Sequence, residues 1–247
     1  MTGGQGRVLV LIHGWGFSRA VWSTVADELR DLPLWIPDLP GHGESLGGSL
    51  LEDAHTMARI LTEQLPAGTR EPIWVGWSMG GLVALAAAAR WQGRQRLALI
   101  CATPRFTAAP DWPCALQPQA LEMFGEELVR DRPALERHFA ALCARGDPTP
   151  MALRRQLLNA MAECPARLEA LSAGLRVLAE TDLRTEWVGL DAPVAAWLAA
   201  DDALVPSVAT ELAALRPDVR LRLAPGGHAS WLREPSAVAG FLREVTA

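Results

Sequence analysis

Residues Gly76-Trp77-Ser78-Met79-Gly80-Gly81 place a single hydroxyl where two sequence patterns meet. Ile73-Trp74-Val75 before it is a short apolar run, and an apolar, alanine-rich helical pattern follows at once. G-x-S-x-G between a strand and a helix predicts a sharp turn that pushes the serine side chain into the open. The glycines allow close backbone approach, and the new helix aims its first N–H groups at whatever Ser78 attacks. A serine hydroxyl is a weak nucleophile at neutral pH, so it needs a base, and the base needs an orienting carboxylate. The chemistry expected is acyl transfer through Ser78.

Chain order after such a turn is the acid, then the histidine, each in a loop past a later strand. Only His138 and His228 follow Ser78. His138 lies in the charged helical segment Leu135–Phe139 and reads as a solvated helix residue. His228 follows the alternating run Val219–Leu223 and the turn Pro225-Gly226-Gly227, where a base belongs. The strand Pro193–Leu198 runs into the adjacent aspartates Asp201 and Asp202. Successive residues point in different directions, so only one of them faces His228. An oxyanion hole needs two backbone donors. One is the N–H of Met79. The other is the N–H of Trp15, in the loop His13-Gly14-Trp15-Gly16 after the apolar run Val8–Ile12. His13 and His42 read as loop braces, the latter with Asp38, and His55 as a solvated helix residue.

The elements that must position these residues alternate. Strands are predicted near 7–12, 34–37, 73–76, 97–101, 193–199 and 219–223. Helices are predicted near 18–30, 50–65, 79–91, 207–215 and 235–245. That rhythm gives an α/β fold, a mostly parallel sheet with helices on both faces. Between Thr103 and Trp187 no convincing strand stands out. Helical patterns near 117–130, 133–145, 150–161 and 165–180 are broken there by prolines. The expected organisation is a core of residues 1–103 and 188–247 with a helical lid, 104–187, over the site. Only seven residues precede Val8, so any leading strands are reduced or absent. Leu34–Ile36 then becomes a sheet edge flanked by Pro33 and Pro37.

The chain's 247 residues, half of them hydrophobic, suit one α/β domain with an insertion. A formal net charge of -5 gives no reason to expect nucleic-acid binding. Every basic residue is arginine, and tyrosine is absent, which reads as compositional bias of the source. Cys101, Cys114, Cys143 and Cys164 show no metal-ligand spacing and read as reduced thiols of a cytoplasmic protein. The amino terminus lacks signal-peptide design, and its apolar run is too short to span a membrane. A monomer using no metal and no cofactor is expected.

His13-Gly14-Trp15-Gly16, Asp38-Leu39-Pro40-Gly41-His42-Gly43, the Ser78 turn, and Asp202 with His228 resemble the α/β-hydrolase superfamily. Trp77 before the serine, Asp111-Trp112-Pro113, Gly174-Leu175, Thr181–Arg184 and Leu204-Val205-Pro206 narrow the resemblance. They are similar to the biotin-pathway esterases that cleave the methyl ester of pimeloyl-[acyl-carrier protein], over nearly the whole chain. The fold's D-x-x-V-P pattern selects Asp202 over Asp201. The resemblance also implies that Phe139-Ala140-Ala141-Leu142-Cys143 lines the acyl pocket, together with Trp15, Ser78, Met79 and His228. It implies an acyl-carrier protein as partner, met by lid arginines of which Arg154 and Arg155 are the best candidates. Interleaved acidic residues offer ordinary helix-surface pairing as the simpler explanation of those arginines. Three rival readings remain: an esterase of small soluble esters, a lyase or synthase on this fold such as the menaquinone-pathway enzyme, and a non-catalytic ligand-binding relative. Ser78 excludes dehalogenases and epoxide hydrolases of this fold, which need aspartate at the turn.

Overall fold

The computed structural model describes residues 6–46, 53–163, 166–206 and 208–247. Parts of the expected helices 50–65, 165–180 and 207–215, Cys164 and the first five residues lie outside them. In chain order the elements begin with β1 (Arg7–Ile12), α1 (Ser23–Glu28), β2 (Leu34–Trp35) and α2 (Ala54–Glu63). β3 (Glu71–Trp77), α3 (Met79–Arg90) and β4 (Arg96–Ile100) follow. Next come α4 (Pro118–Arg130), α5 (Arg132–Ala144), α6 (Pro150–Glu163), α7 (Leu168–Glu180) and α8 (Arg184–Gly189). The chain closes with β5 (Val194–Ala199), α9 (Ala209–Leu215), β6 (Arg220–Ala224) and α10 (Pro235–Thr246).

The six strands form one parallel sheet in the order β2-β1-β3-β4-β5-β6. β2 is an edge, as the flanking prolines suggest. Leu9–Ile12 and Pro72–Trp77 are buried, because helices cover both faces of the central strands. From β1 the chain winds to β2 on one side and, after α2, to β3 on the other. A crevice opens at the carboxyl ends of strands that part in this way, and ligands of open α/β sheets bind there. The His13–Gly16 loop and the Ser78 turn leave β1 and β3 at that point.

α4 to α7 form the insertion between β4 and β5. α4 packs on α5 and α7, and α5 on α6. Proline starts α4 and α6 and sits in the first turn of α5, where its missing N–H costs no hydrogen bond. Among its described residues the region has no strand, only isolated bridges such as Arg105 to Asp182 and Thr107 to Leu116, which pin its base. α8 was not foreseen. It spans the expected boundary at residue 187 and packs on α3 and α9 of the core.

Candidate active site

The sequence Gly76–Gly80 forms the turn by backbone contact alone. A Cβ on Gly76 would strike the Gly80 carbonyl, and one on Gly80 would meet the His13 carbonyl oxygen at 2.5 Å. Ser78 has φ +56° and ψ -126°, a left-handed conformation that costs a non-glycine residue about 1–3 kcal/mol. The turn is held from two sides: Ser78 N–H donates to the Ile100 carbonyl (3.1 Å), and Gly81 N–H donates to the Ser78 carbonyl (2.8 Å). Met79 opens α3, so its N–H has no partner within the helix and is available to an oxygen on Ser78.

Asp202 follows β5 and is buried, while its neighbour Asp201 is exposed. One Asp202 oxygen accepts the N–H groups of Leu204 (2.8 Å) and Val205 (2.9 Å), which orients the carboxylate. Its other oxygen lies 2.8 Å from Nδ1 of fully buried His228. With Nδ1–H donating its hydrogen bond to Asp202, Nε2 is the ring nitrogen that carries the lone pair, and that atom is buried without a hydrogen-bond partner. The structure therefore brings Asp202 and His228 together and leaves His228 Nε2 as an unspent base in the same layer of loops as Ser78.

Trp77 was read from the sequence only as a family signature. Here its Nε1–H donates to the His228 carbonyl (3.1 Å), and its ring packs against the imidazole at 5.7 Å, tilted by 38°. The residue before the serine thus holds the loop of the histidine. The signal was a bulky tryptophan beside a nucleophile; its partner lies 151 residues away, beyond any local pattern. The insertion touches the same loop: Ala229 N–H donates to the Cys143 carbonyl (3.0 Å), and a Cβ on Gly227 would strike the Arg145 carbonyl.

His13 and His42 brace the neighbouring loops. His13 Nε2 accepts the Leu39 N–H (2.9 Å), so its proton sits on Nδ1, against the Gly14 carbonyl. Burial, then nearby His42, pushes His13 down to about 3, and burial also lowers His42. Both rings stay neutral. Asp38 accepts the N–H groups of Arg19 and Glu44. His138 pairs with Glu127 on the insertion's surface and His55 faces Glu186, so neither reaches Ser78. Burial, followed by the Asp202 charge, raises the thiols of Cys101 and Cys143 well above their ordinary range, so they remain protonated. Among the described residues no group of three His, Cys, Asp or Glu could hold a metal, and no helix is long and apolar enough to cross a membrane.

A cavity touches Ser78. Its walls are Trp15, Phe106, Leu116, Leu121, Phe124, Phe139, Leu175, Leu178 and Leu204. Trp15 is both wall and tie: its ring packs edge-on to Phe139 at 4.9 Å, and its Nε1–H donates to the Leu171 carbonyl in α7. Of the expected stretch Phe139–Cys143, Phe139 alone lines this cavity. The stretch lies within α5, and consecutive helical residues point about 100° apart, so five in a row cannot share one wall. Ala141 is exposed, and Ala140 and Cys143 are buried in packing. Leu142 is half-buried against the core. Arg155 is exposed in a groove between α6 and α1, while the Arg154 Nε is buried without a hydrogen bond.

Comparison with known proteins agrees with this architecture. Residues 9–241 match the model of the alpha/beta hydrolase family. A pimeloyl-[acyl-carrier protein] methyl ester esterase of Stenotrophomonas maltophilia (strain K279a) is 40% identical, covering 99% of this chain and 94% of the relative. The protein of the same name in Xanthomonas axonopodis pv. citri (strain 306) is 39% identical, over 99% and 96%. Among solved structures, an esterase from Exiguobacterium antarcticum superposes with a TM-score of 0.84 at 22% identity, over 98% of this chain and 92% of that one. A hydrolase from Oleispira antarctica gives 0.87 at 19%, over 99% and 92%. At these identities the structures share the fold.

Proposed function

The chain belongs to the alpha/beta hydrolase family, among the pimeloyl-[acyl-carrier protein] methyl ester esterases, and from that premise we propose that it hydrolyses the methyl ester of pimeloyl-[acyl-carrier protein] through Ser78, Asp202 and His228. The observation that carries the chemistry is the buried Asp202–His228 pair, with Nε2 free of any hydrogen-bond partner and its loop bonded to Trp77, the residue before a serine held in a left-handed turn. His228 takes the Ser78 proton as Oγ attacks the ester carbonyl. The N–H groups of Met79 and Trp15 receive the developing negative charge. His228 then protonates the departing methoxide, and methanol leaves. Water, deprotonated by the same imidazole, attacks the acyl-enzyme and releases the free carboxylate and Ser78. The reaction uses no cofactor.

In this reading α4 to α7 act as a lid, residues 104–187 in the division proposed from the sequence. The cavity wall offers no charged group, which suits a neutral methyl ester and disfavours the carboxylate product. The acyl carrier is acidic, and lid arginines, Arg154 and Arg155 among them, supply the opposing charge. The setting is the cytoplasm, where carrier-bound acyl chains are made and thiols such as Cys101 and Cys143 stay reduced.

The test compares kcat/KM for a carrier-linked pimeloyl methyl ester with that for p-nitrophenyl acetate, and asks whether the gene restores growth of a bacterium unable to finish pimeloyl synthesis. Strong preference for the carrier-linked ester with growth restored is expected. Preference for the small ester with no growth would replace this reading with a general esterase.

A further inference from the structure

One helix of the insertion is docked on the loops that follow β1 and β2. Arg167, at the start of α7, shares a helix face with Ala170, Leu171 and Gly174, which follow at steps of three and four residues. Arg167 N–H donates to the Gly41 carbonyl at 2.8 Å. The Ala170 side chain occupies the place a Cβ on Gly41 would take. The Leu171 carbonyl accepts the Trp15 indole N–H at 2.8 Å. A Cβ on Gly174 would lie 2.6 Å from Trp15 Cδ1, 3.1 Å from its Nε1 and 3.0 Å from Met79 Sδ.

Gly174 sits in the interior of α7, where glycine costs stability relative to alanine. Its φ is not positive, so the position uses the missing side chain and not a special backbone. The two residues it touches are the two whose N–H groups receive the oxyanion in the mechanism above. Both are buried. The Trp15 ring is tied at Nε1 to Leu171 and packed edge-on against Phe139, so it has no free direction in which to yield to a methyl group. The displacement passes to the loop that carries the Trp15 N–H.

We propose that α7 positions the oxyanion hole, with Gly174 as the positioning residue: its bare Cα lets the helix press on Trp15 and Met79, and the Leu171 carbonyl holds the indole in register. This rests on the Ser78 mechanism proposed above but not on the carrier-linked substrate. Leu175 beside it lines the cavity, whereas Gly174 acts on the reacting carbonyl through Trp15.

The test uses Gly174→Ala and an alkyl trifluoromethyl ketone. Ser78 Oγ bonds to the carbonyl carbon of that ketone, the serine proton passes to His228, and the negative charge comes to rest on the ketone oxygen. The matching methyl ketone serves as the probe that binds without this addition. In Gly174→Ala, kcat/KM for p-nitrophenyl butyrate should fall about tenfold to a hundredfold, less than the loss of a whole donor. The inhibition constant of the trifluoromethyl ketone should rise by a similar factor, while that of the methyl ketone should hardly change. Alanine is the better helix former, so unchanged turnover with a raised melting temperature would overturn the proposal. Equal weakening of both ketones, the mark of a disturbed cavity, would overturn it too. Trp15→Ala keeps the backbone N–H and removes the ring that the methyl would strike. In that background Gly174→Ala should cost less than about twofold more, and an undiminished loss would contradict the route through Trp15. If Gly174→Ala does not fold, Trp15→Phe decides, since it drops the indole bond to Leu171. Parallel losses of turnover and trifluoromethyl ketone binding support the proposal, and unchanged turnover overturns it. If the natural-sequence protein neither hydrolyses the ester nor binds the trifluoromethyl ketone, the Ser78 mechanism itself fails and the proposal falls with it.

Discussion

Ser78 and Asp202 are held by backbone hydrogen bonds and forced turns, whereas Phe124, Phe139 and Leu175 above them are held by packing between helices. The first arrangement is discrete. Ile100, Leu204 and Val205 each offer one group, and each contact holds only within a narrow range of distance and angle. The second is continuous, since apolar side chains of similar volume can exchange with modest loss. In the proposed mechanism the chemistry falls on the first arrangement, and selection among substrates on the second. Trp15 joins the two. In the proposed mechanism its backbone N–H faces the reacting carbonyl, and its ring is bonded to α7 and packed on Phe139.

The contrast predicts that core substitutions act on turnover and insertion substitutions, Gly174→Ala apart, on substrate choice. The largest effect belongs to Asp202→Asn, which should lower kcat for every ester by roughly 10³- to 10⁴-fold, because His228 loses its tautomer and charge partner. Asp201→Asn, on an exposed side chain, should change kcat less than about twofold. Steady-state kinetics on both variants decides between the neighbours, and a reversed pattern would give the role to Asp201.

The buried histidines give the next effect, in stability. His13 is held neutral down to about pH 3, against an ordinary value of 6.5, and His42 is lowered too. Above about pH 7 neither the folded nor the unfolded chain protonates them. As pH falls below 6.5 the unfolded chain takes up protons that the folded one refuses, so stability declines by up to about 1.4 kcal/mol per histidine per pH unit. Melting temperature should therefore fall from pH 7 to pH 5, and His13→Gln should flatten that dependence. A slope unaffected by the substitution would place the acid sensitivity elsewhere.

The smallest effect tests the insertion. Arg154→Glu with Arg155→Glu should raise KM for the carrier-linked ester about fivefold at low salt, and the difference should shrink as salt screens exposed charge. Turnover of a small neutral ester should hardly change. Equal losses on both substrates would mean a disturbed insertion.

What could be read from the sequence follows the same division. The six strands, the Ser78 turn and the His228 loop were legible because each is written in contiguous residues: glycines where a Cβ cannot fit, apolar runs where a central strand lies, and alternation at β6. Asp201 and Asp202 were inseparable by direction alone. Only a family pattern chose between them, and the structure gives the physical distinction in two backbone donors and burial. The cavity wall was not legible. Leucines and phenylalanines of α4, α5 and α7 serve packing and lining alike, and periodicity reports only which face is buried. Of the continuous run Phe139–Cys143, Phe139 is on the wall of the small cavity at Ser78. The bond from Trp77 to the His228 carbonyl joins pieces distant in sequence, and no local rule reaches it.

The central claim is that Ser78 is the nucleophile, and it is tested most directly by a fluorophosphonate followed by peptide mass spectrometry. The account predicts one adduct, on Ser78, absent from a folded Ser78→Ala variant that has also lost ester hydrolysis. An adduct on another residue, or active hydrolysis by Ser78→Ala, would contradict it.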